Sequence, residues 1–232
     1  MTRRVLVAGS AGGIGSAVVA AVTEAGDVAL GVDRDTVDVT RPGGAEAAIA
    51  QARERLGGLD GIVHAIGMSG RPLGDGPVTT CTDEAWSEVH RVNHESAFRL
   101  LRAGIPELAR GGGGSIVVVG SALASTLDDD FLTVAYASAK GALVPLVRSA
   151  AYAAAGSGVR VNIVAPAVVN TPMAARALSD PRLGPSMATR HPLTRRALEP
   201  TEVAAAVLWL LSDAANAVTG AVLPADGGWT LR

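Results

Sequence analysis

The sequence predicts an α/β protein in which a doubly wound parallel sheet carries helices on both faces. Short apolar segments such as RVLVAG and VRVNIVAP, which are typical of buried strands, alternate with longer segments of helical spacing. Hydrophobic residues make up 48% of the chain and aromatic residues only 3%, so the core must be built from Ala, Val and Leu. No linker, repeat or low-complexity segment interrupts the sequence, so we expect residues 1–232 to form one domain.

The predicted elements alternate from one end of the chain to the other. A short strand predicted at 37–40 follows the second strand with no room for a helix between them, so the fold is expected to be shortened between strands 2 and 3. Residues 168–200 are rich in Pro, Arg and Met with weak periodicity, and such a segment is expected to form a substrate lid. Strands are predicted at 4–9, 27–33, 37–40, 60–67, 115–120, 159–166 and 220–228, and helices at 16–26, 43–58, 82–110 (with a bend near Pro106), 134–155 and 200–213.

Charge and cysteine content exclude several classes of protein. The net charge is −2 with no block of like charge, so nothing in the sequence attracts nucleic acid or an anionic membrane. No apolar stretch approaches the length of a membrane span, and the N-terminal MTRRVLVAGSAGG is interpreted as a first strand rather than a signal peptide. Cys81 is the only cysteine, and the histidines lack metal-ligand spacing, so we expect no metal site and a cytoplasmic protein.

A glycine-rich turn, GSAGGIG, joins the first strand to the first helix. Glycine allows a tight turn and a close approach of a diphosphate to the backbone, while the helix N-terminus supplies positive potential. Asp33 ends the next strand, where a carboxylate can accept hydrogen bonds from both hydroxyls of an adenosine ribose and repel a 2′-phosphate. The pattern predicts a dinucleotide site that takes NAD, with NADP disfavoured.

One lysine is present among the 20 Lys and Arg residues of the chain. It is Lys140, and it lies four residues after Tyr136, one of only two tyrosines. Residues four apart on a helix share a face, so the two side chains are expected to lie together. A nearby ammonium stabilises a phenolate, so we expect Lys140 to lower the pKa of Tyr136 and so make it an acid–base group.

With these motifs the sequence resembles the short-chain dehydrogenase/reductase family over essentially its whole length. Any one of the motifs is weak evidence, whereas together they are highly specific. The resemblance implies a Rossmann-like fold and an enzyme acting on CH–OH groups with a nicotinamide dinucleotide. The matching segments are GSAGGIG, Asp33, DV at 38–39, VN at 92–93, VVVGSA at 117–122, YASAK at 136–140, VNIVAPAVVNTPM at 161–173 and TGAVLPADGG at 219–228.

The resemblance also implies a catalytic set. Tyr136 would exchange a proton with the substrate oxygen, and Lys140 would bind the nicotinamide ribose. Ser121 would hydrogen-bond the substrate, with Ser125 as the alternative serine, because the spacing from Ser121 to Tyr136 is about two residues longer than usual in the family. Asn93 would hold a bend in the long helix and a water molecule that links Lys140 to solvent.

Three positions depart from the family pattern: Ala8, HAIG at 64–67 and Ala167. The first two departures could leave the first and fourth predicted strands held together by packing alone. His64 is interpreted as an interior histidine.

The same resemblance assigns residues to the cofactor and the substrate. The residues expected to bind cofactor are Gly9, Ala11, Gly12, Gly13, Ile14, Gly15, Asp33, Asp38, Val39, Ala65, Ile66, Gly67, Tyr136, Lys140, Pro166, Val169 and Thr171. Those expected to bind substrate are Ser121, Leu123 and Tyr136.

These observations together predict an NAD-dependent oxidoreductase that interconverts a secondary alcohol and a ketone. A 3-oxoacyl-thioester reductase is the alternative within the family, and a non-catalytic dinucleotide-binding regulator is the alternative from another class. The apolar segment 206–225 at the end of the chain predicts a homotetramer, because a last strand must be covered or paired. The pocket positions Met68, Leu123, Phe131, Leu132 and Val168 are largely apolar, which favours an uncharged substrate with a ring or chain. In lacking a helix directly after Asp33, the sequence also resembles family members that act on steroids and other cyclic substrates, which implies a cyclic or steroid-like substrate.

Overall fold

The computed structural model describes residues 2–231, whose six strands form one parallel sheet. The strand order is β2-β1-β3-β4-β5-β6, so the chain first builds outward from β1 to β2 and then returns to build on the other side of β1. This confirms the predicted fold class. The strands are β1 Arg4–Ala8, β2 Val28–Val32, β3 Gly61–His64, β4 Gly114–Val119, β5 Val159–Pro166 and β6 Val222–Ala225.

Helices cover both faces of the sheet. No helix within residues 2–231 has both the length and the apolar character needed to cross a membrane. The helices are α1 Gly13–Glu24, α2 Gly44–Leu56, α3 Asp83–His90, α4 Ser96–Arg110, α5 Val134–Gly141, α6 Leu143–Ala154, α7 Ala175–Ser179, α8 Leu183–Arg190 and α9 Pro200–Leu211.

Two apolar layers hold these helices to the sheet. On one face, Ala48 of α2, Leu100 of α4 and Val147 of α6 belong to one buried cluster. On the other face, Val18 of α1 and Val207 of α9 belong to a second cluster. The side chains are small, as the composition predicts, so the helices lie close to the sheet and fix the positions of the loops at its carboxyl edge.

The prediction of a strand at 37–40 is wrong. The backbone amides of Thr36 and Val37 both donate to the carbonyl oxygen of Asp33 at 2.8 Å, so the chain turns directly after β2 instead of continuing as a strand. Gly43 then adopts φ +80° and leads into α2, which crosses over to β3. The sheet therefore ends at β2 on this side, within the described residues.

Three predicted helical or irregular segments differ in detail. The helix predicted at 82–110 is interrupted by a π-helix, Arg91–Glu95, and Pro106 lies inside α4 without dividing it. The helix predicted at 134–155 is divided at Ala142 into α5 and α6. The segment 168–200 contains α7 and α8, and a parallel bridge between Val169 and Leu198 holds its two ends together.

Candidate active site

A cavity lies at the carboxyl ends of the central strands, where open parallel sheets bind their ligands. The segments that follow β1, β3, β4 and β5 supply most of its wall, and α5 supplies Tyr136 and Lys140. The structure thus brings together most of the residues that the sequence singled out. Those in the wall are Ile14, Ala65, Ile66, Gly67, Ser121, Leu123, Phe131, Tyr136, Lys140, Pro166, Val168, Val169 and Thr171.

The glycine-rich turn lies against this cavity and depends on the absence of side chains. Gly9 has φ +89°, and a Cβ there would lie 2.7 Å from the carbonyl carbon of Ala65. A Cβ on Gly13 would lie 2.5 Å from Cγ2 of Thr171, which lines the cavity. The amide of Ala11 donates to Oδ2 of Asp33 at 2.9 Å, so the turn and the predicted ribose-binding carboxylate are joined directly.

The N-terminus of α1 fits the diphosphate of a dinucleotide. Among residues 2–231, no side chain caps this helix, and its first turn contains no acidic residue. Its first amides and the helix dipole therefore present positive potential to the cavity wall at Ile14. Any side chain at Gly13 would fill the space in front of Thr171. The chain's own residues thus form a cradle suited to a nicotinamide dinucleotide.

Tyr136, Lys140 and Ser121 meet on one side of the cavity. Ser121 and Lys140 are 7% and 3% exposed, so neither group is solvated as it would be at the surface. Nζ of Lys140 donates to the carbonyl oxygen of Val119 at 2.8 Å and lies 6.0 Å from the centroid of the Tyr136 ring. The helical spacing of four residues therefore brings the two groups to one face, as predicted.

Burial determines the protonation of this group of residues. It raises the pKa of the Tyr136 phenol, and a hydrogen bond with Ser121 opposes the rise. Burial lowers the pKa of Lys140 to about 8. The expected lowering of the Tyr136 pKa by Lys140 is therefore not what this structure gives, because loss of water around the phenol is the largest influence. At neutral pH the phenol is protonated and the ammonium is charged.

The two candidate serines have different positions. Ser121 lies two residues after the end of β4 and lines the cavity, where its hydroxyl opposes the rise in the pKa of Tyr136. Ser125 lies four residues farther along, and its hydroxyl donates to the carbonyl oxygen of Ala122 at 3.3 Å. Ser125 is absent from the cavity wall. The geometry therefore favours Ser121 over Ser125.

Asn93 lies in the π-helix between α3 and α4, behind the cavity wall. Its amide donates to the carbonyl oxygens of Val89 and Met68, and its Oδ1 accepts from the amide of Met68 at 3.1 Å. A Cβ on Gly67 would lie 3.0 Å from Asn93 Oδ1 and 3.4 Å from Lys140 Nζ, so only glycine leaves room between them. Asn93 thus fixes the chain after β3 to the irregular turn of the helix.

His64 is an interior residue, as the sequence predicts. Its Nε2 lies 2.8 Å from Oγ of Ser96, which itself donates to the carbonyl oxygen of Val92. Burial and then the charge of Lys140 lower the pKa of His64 to about 3, so the ring is neutral. The amide of Ala65 donates to the carbonyl oxygen of Ala8 at 2.8 Å. Hydrogen bonds, and not packing alone, therefore hold β1 and β3 together at their carboxyl ends.

Several predicted residues lie outside the cavity wall. Asp38 accepts hydrogen bonds from the amide and hydroxyl of Thr40 and from Arg41, within its own turn. Val39 is 2% exposed and belongs to the core cluster under α2. A contact of Asp38 and Val39 with the cofactor stays a prediction. The other residues outside the wall are Gly9, Ala11, Gly12, Gly13, Gly15, Asp33, Met68, Asn93 and Leu132.

No sequence pattern indicates the role of Asp75. Its carboxylate is 6% exposed and accepts from the amides of Ala135 and Tyr136 at 2.9 and 3.0 Å. These are first-turn amides of α5, so a carboxylate from a loop 60 residues earlier caps the helix that carries Tyr136 and Lys140. No local pattern announces a cap supplied from so far away.

A cluster of ion pairs lies beside the part of the cavity wall formed by Phe131 and Trp229. The guanidinium of Arg190 donates to both carboxylate oxygens of Asp128 at 2.9 and 3.0 Å and to Asp130 at 2.5 Å. It also lies 5.6 and 5.7 Å from the ring centroids of Phe131 and Trp229, which both line the cavity. We call Asp128, Asp130 and Arg190 the clasp. It joins α8 to the loop before α5. No sequence pattern predicts the clasp, nor does one predict a place in the site for Trp229, Arg71 or Arg176.

The lowered pKa of Lys140 predicts a pH-dependent contribution to stability. Between pH 8 and 10.5 the unfolded chain binds more protons at this side chain than the folded one, so stability rises with pH in that window. Below pH 8 the lysine is charged in both states and its contribution is constant. We expect the Tm of the wild type, minus that of Lys140→Met, to rise between pH 8 and 10. Each kcal/mol of added stability should raise this difference in Tm by about 2–4 °C. Thermal unfolding by circular dichroism checks this, and a difference that stays flat over the window contradicts it.

Comparison with known proteins gives one consistent family. A family model described as "Enoyl-(Acyl carrier protein) reductase" matches residues 14–230. The chain is 34% identical to cis-4-hydroxycyclohexanecarboxylate dehydrogenase of Sinomonas cyclohexanicum, over 98% of this chain and 96% of that one. It is 32% identical to 3-alpha-hydroxysteroid dehydrogenase/carbonyl reductase of Comamonas testosteroni, over 97% of this chain and 95% of that one.

A solved structure agrees with the sequence relatives. The structure of a short-chain type dehydrogenase/reductase from Mycobacterium ulcerans superposes with a TM-score of 0.89 at 30% identity, covering 99% of this chain and 90% of that one. Likeness of this extent reaches every strand and the whole cavity wall. The protein therefore belongs to the short-chain dehydrogenase/reductase family and is an oxidoreductase acting on CH–OH groups.

Proposed function

We propose that this protein is an NAD-dependent oxidoreductase that interconverts a secondary alcohol and a ketone on a largely apolar, cyclic substrate. The observation that carries the proposal is the meeting of Tyr136 and Ser121 with a buried ammonium in one cavity. Leu123, Phe131 and Trp229 give the same cavity an apolar wall suited to a ring. Both curated relatives described above are named for cyclic alcohols.

The protonation states support a direct role for Tyr136 in ketone reduction. A nicotinamide dinucleotide, when bound, supplies or accepts the hydride. Because burial keeps the phenol protonated, Tyr136 can give its proton to a substrate oxygen as negative charge develops there. Ser121 donates a hydrogen bond to the same oxygen in this proposal, so two donors meet the developing charge.

Lys140 and Asn93 support this proton transfer indirectly. The Lys140 ammonium uses one donor on the carbonyl oxygen of Val119, which leaves two for the ribose hydroxyls of a cofactor or for water. Its positive charge favours loss of the Tyr136 proton once a substrate draws on it. Asn93 holds the segment at Gly67 clear of this ammonium. The shared cavity wall supports the roles proposed for Tyr136, Ser121 and Lys140. The role proposed for Asn93 is supported by its place in the π-helix.

Asp33 supports the choice of NAD over NADP. Its carboxylate lies beside the glycine-rich turn, where it accepts from the amides of Ala11 and Arg34. A carboxylate oxygen has two lone pairs, so these bonds leave capacity for ribose hydroxyls. A 2′-phosphate at the same place would meet a like charge.

Replacement of Asp33 tests the cofactor and the function together. We expect wild-type enzyme to oxidise cyclic secondary alcohols with NAD in preference to NADP, and Asp33→Ser to lower the NAD:NADP ratio of kcat/KM about tenfold or more, since one charge repulsion is removed. Asp35→Ser is the matched control, because Asp35 is an exposed neighbouring acid. Steady-state kinetics on an alcohol and ketone panel with both cofactors gives the answer.

The same panel separates the alternatives. Faster turnover of 3-oxoacyl thioesters than of any cyclic ketone would favour the acyl-thioester reductase. Binding of NADH, seen as a change in its fluorescence, without turnover of any panel member would favour the regulator. A wild type that prefers NADPH at equal low concentration would contradict the proposed cofactor.

Exchange of the two serines tests the proposed site. Ser121→Ala should lower kcat/KM about a hundredfold or more, because one of two donors to the developing charge is lost. Ser125→Ala should stay within a factor of about three, because Ser125 is absent from the cavity wall and its hydroxyl is bonded to the backbone carbonyl of Ala122. Kinetics of both variants, with circular dichroism as the folding control, checks this. The reverse result would assign the role to Ser125.

We also propose a homotetramer, which is supported by exposed apolar side chains in two separate places. Phe98 of α4 and Tyr152 of α6 are 45% and 90% exposed, and Trp209 of α9 and Val222 of β6 are 41% and 42% exposed. Two such surfaces allow two different two-fold interfaces.

Light scattering at micromolar concentration should give about four chain masses for the wild type. Trp209→Glu should give a dimer, because a charge would be buried in one of the two proposed interfaces while the other stays intact. Leu193→Glu serves as the control, since Leu193 is exposed but lies outside both surfaces. A monomeric wild type would show that the apolar surfaces serve another purpose.

A further inference from the structure

Two arginines lie in the wall of the cavity, which they share with apolar side chains. Arg71 comes from the short 3₁₀ turn Arg71–Leu73, which follows β3, and Arg176 comes from α7, which follows β5. They therefore approach the cavity from two different segments of the chain. Both share this wall with Tyr136 and Ser121, so a molecule that the arginines bind would occupy the same cavity as the two hydroxyls.

The two positive charges are close enough to act on one another. Burial, and next the charge of Arg176, lowers the pKa of Arg71. Like charges placed together at one cavity are unfavourable unless a negative group lies between them. The arrangement thus favours an anion at this position in the cavity.

No carboxylate of residues 2–231 forms a salt bridge with either arginine, although twelve other arginines have such partners. The guanidinium of Arg71 donates one hydrogen bond, to the carbonyl oxygen of Asp130 at 2.9 Å. The side chain of Arg176 makes no hydrogen bond to the described residues. Most of the donors on these two guanidinium groups are therefore available to a ligand.

The two acids whose charge reaches Arg71 are already bound elsewhere. Asp75 caps α5 through the amides of Ala135 and Tyr136. Asp130 accepts from Arg190 in the clasp. Neither carboxylate can turn to the arginines without giving up these bonds. Asp180 accepts from the amides of Arg182 and Leu183, which lower its pKa, and the charge of Arg176 helps to lower it further. Much of the positive charge in the cavity is therefore left for a bound molecule.

We propose that Arg71 and Arg176 bind a carboxylate on the substrate, so that the enzyme acts on an apolar cyclic hydroxy acid and its keto acid. The proposal rests on the proposed function and adds a substrate class to it. A guanidinium binds a carboxylate through two parallel hydrogen bonds, which fixes orientation as well as affinity. With the carboxylate held at the arginines, the ring lies along Leu123, Phe131 and Trp229 and its carbinol carbon is directed to Tyr136. This replaces the expectation of an uncharged substrate.

Paired acids and esters test the assignment. The probes are 3- and 4-oxocyclohexanecarboxylate and their methyl esters. They are titrated by calorimetry into enzyme loaded with NAD, which cannot reduce a ketone, and are then assayed for turnover with NADH. We expect the wild type to bind at least one acid ten times or more tightly than its ester. Arg71→Gln and Arg176→Gln should each reduce that preference about tenfold, mainly through Kd and KM, while binding of the ester and kcat change little.

Two controls separate this role from a structural one or from a role toward the cofactor. Arg55→Gln removes the same charge from the exposed end of α2 and should leave the preference unchanged. The Kd of NADH should be the same in all variants. Weaker NADH binding with an unchanged acid preference would place the arginines on the cofactor's diphosphate and overturn the proposal.

The binding arm also distinguishes two kinds of failure. If an acid binds with the expected preference but is never reduced, the proposed activity is wrong while the carboxylate site stands. If no acid in the panel binds more tightly than its ester, the carboxylate site is wrong. Reduction of the esters would then leave the proposed activity intact.

Discussion

The arrangement of the site depends on one buried charge, the ammonium of Lys140. It is almost fully removed from solvent, and its hydrogen bond to the carbonyl oxygen of Val119 ties α5 to the last residue of β4. A buried cation is costly unless polar groups compensate it. The neutral state of His64 adds no further positive charge beside it, and the cap from Asp75 fixes the helix that carries it. Ser121 and Tyr136 take their positions from the same two elements.

Much of the fold could be read from the sequence because its signals are local. Buried parallel strands leave short apolar runs bounded by glycine, and helices leave spacing of three and four residues. The predicted fold class and family are confirmed for this reason. The pairing of Tyr136 with Lys140 was equally readable, because a spacing of four on a helix determines which side chains share a face.

The features that escaped prediction depend on distant parts of the chain. The segment 37–40 has the apolar alternation of a strand, but amides after Asp33 turn back onto its carbonyl, which composition does not reveal. The cap from Asp75 and the meeting of Arg71 with Arg176 join segments far apart in sequence. Each of these residues is an ordinary polar residue in its own neighbourhood, and only the folded chain gives it a partner or a cavity.

The clasp has a consequence for how such a pocket can change during evolution or engineering. Its acids lie in the loop before α5, its arginine ends α8, and the rings beneath it come from that loop and from the C-terminal segment. A graft of any one of these segments from a relative would bring an unpaired, partly buried charge unless its counterparts came with it. The three segments thus form one structural unit, and exchange of all three together is expected to be tolerated better than exchange of a single loop.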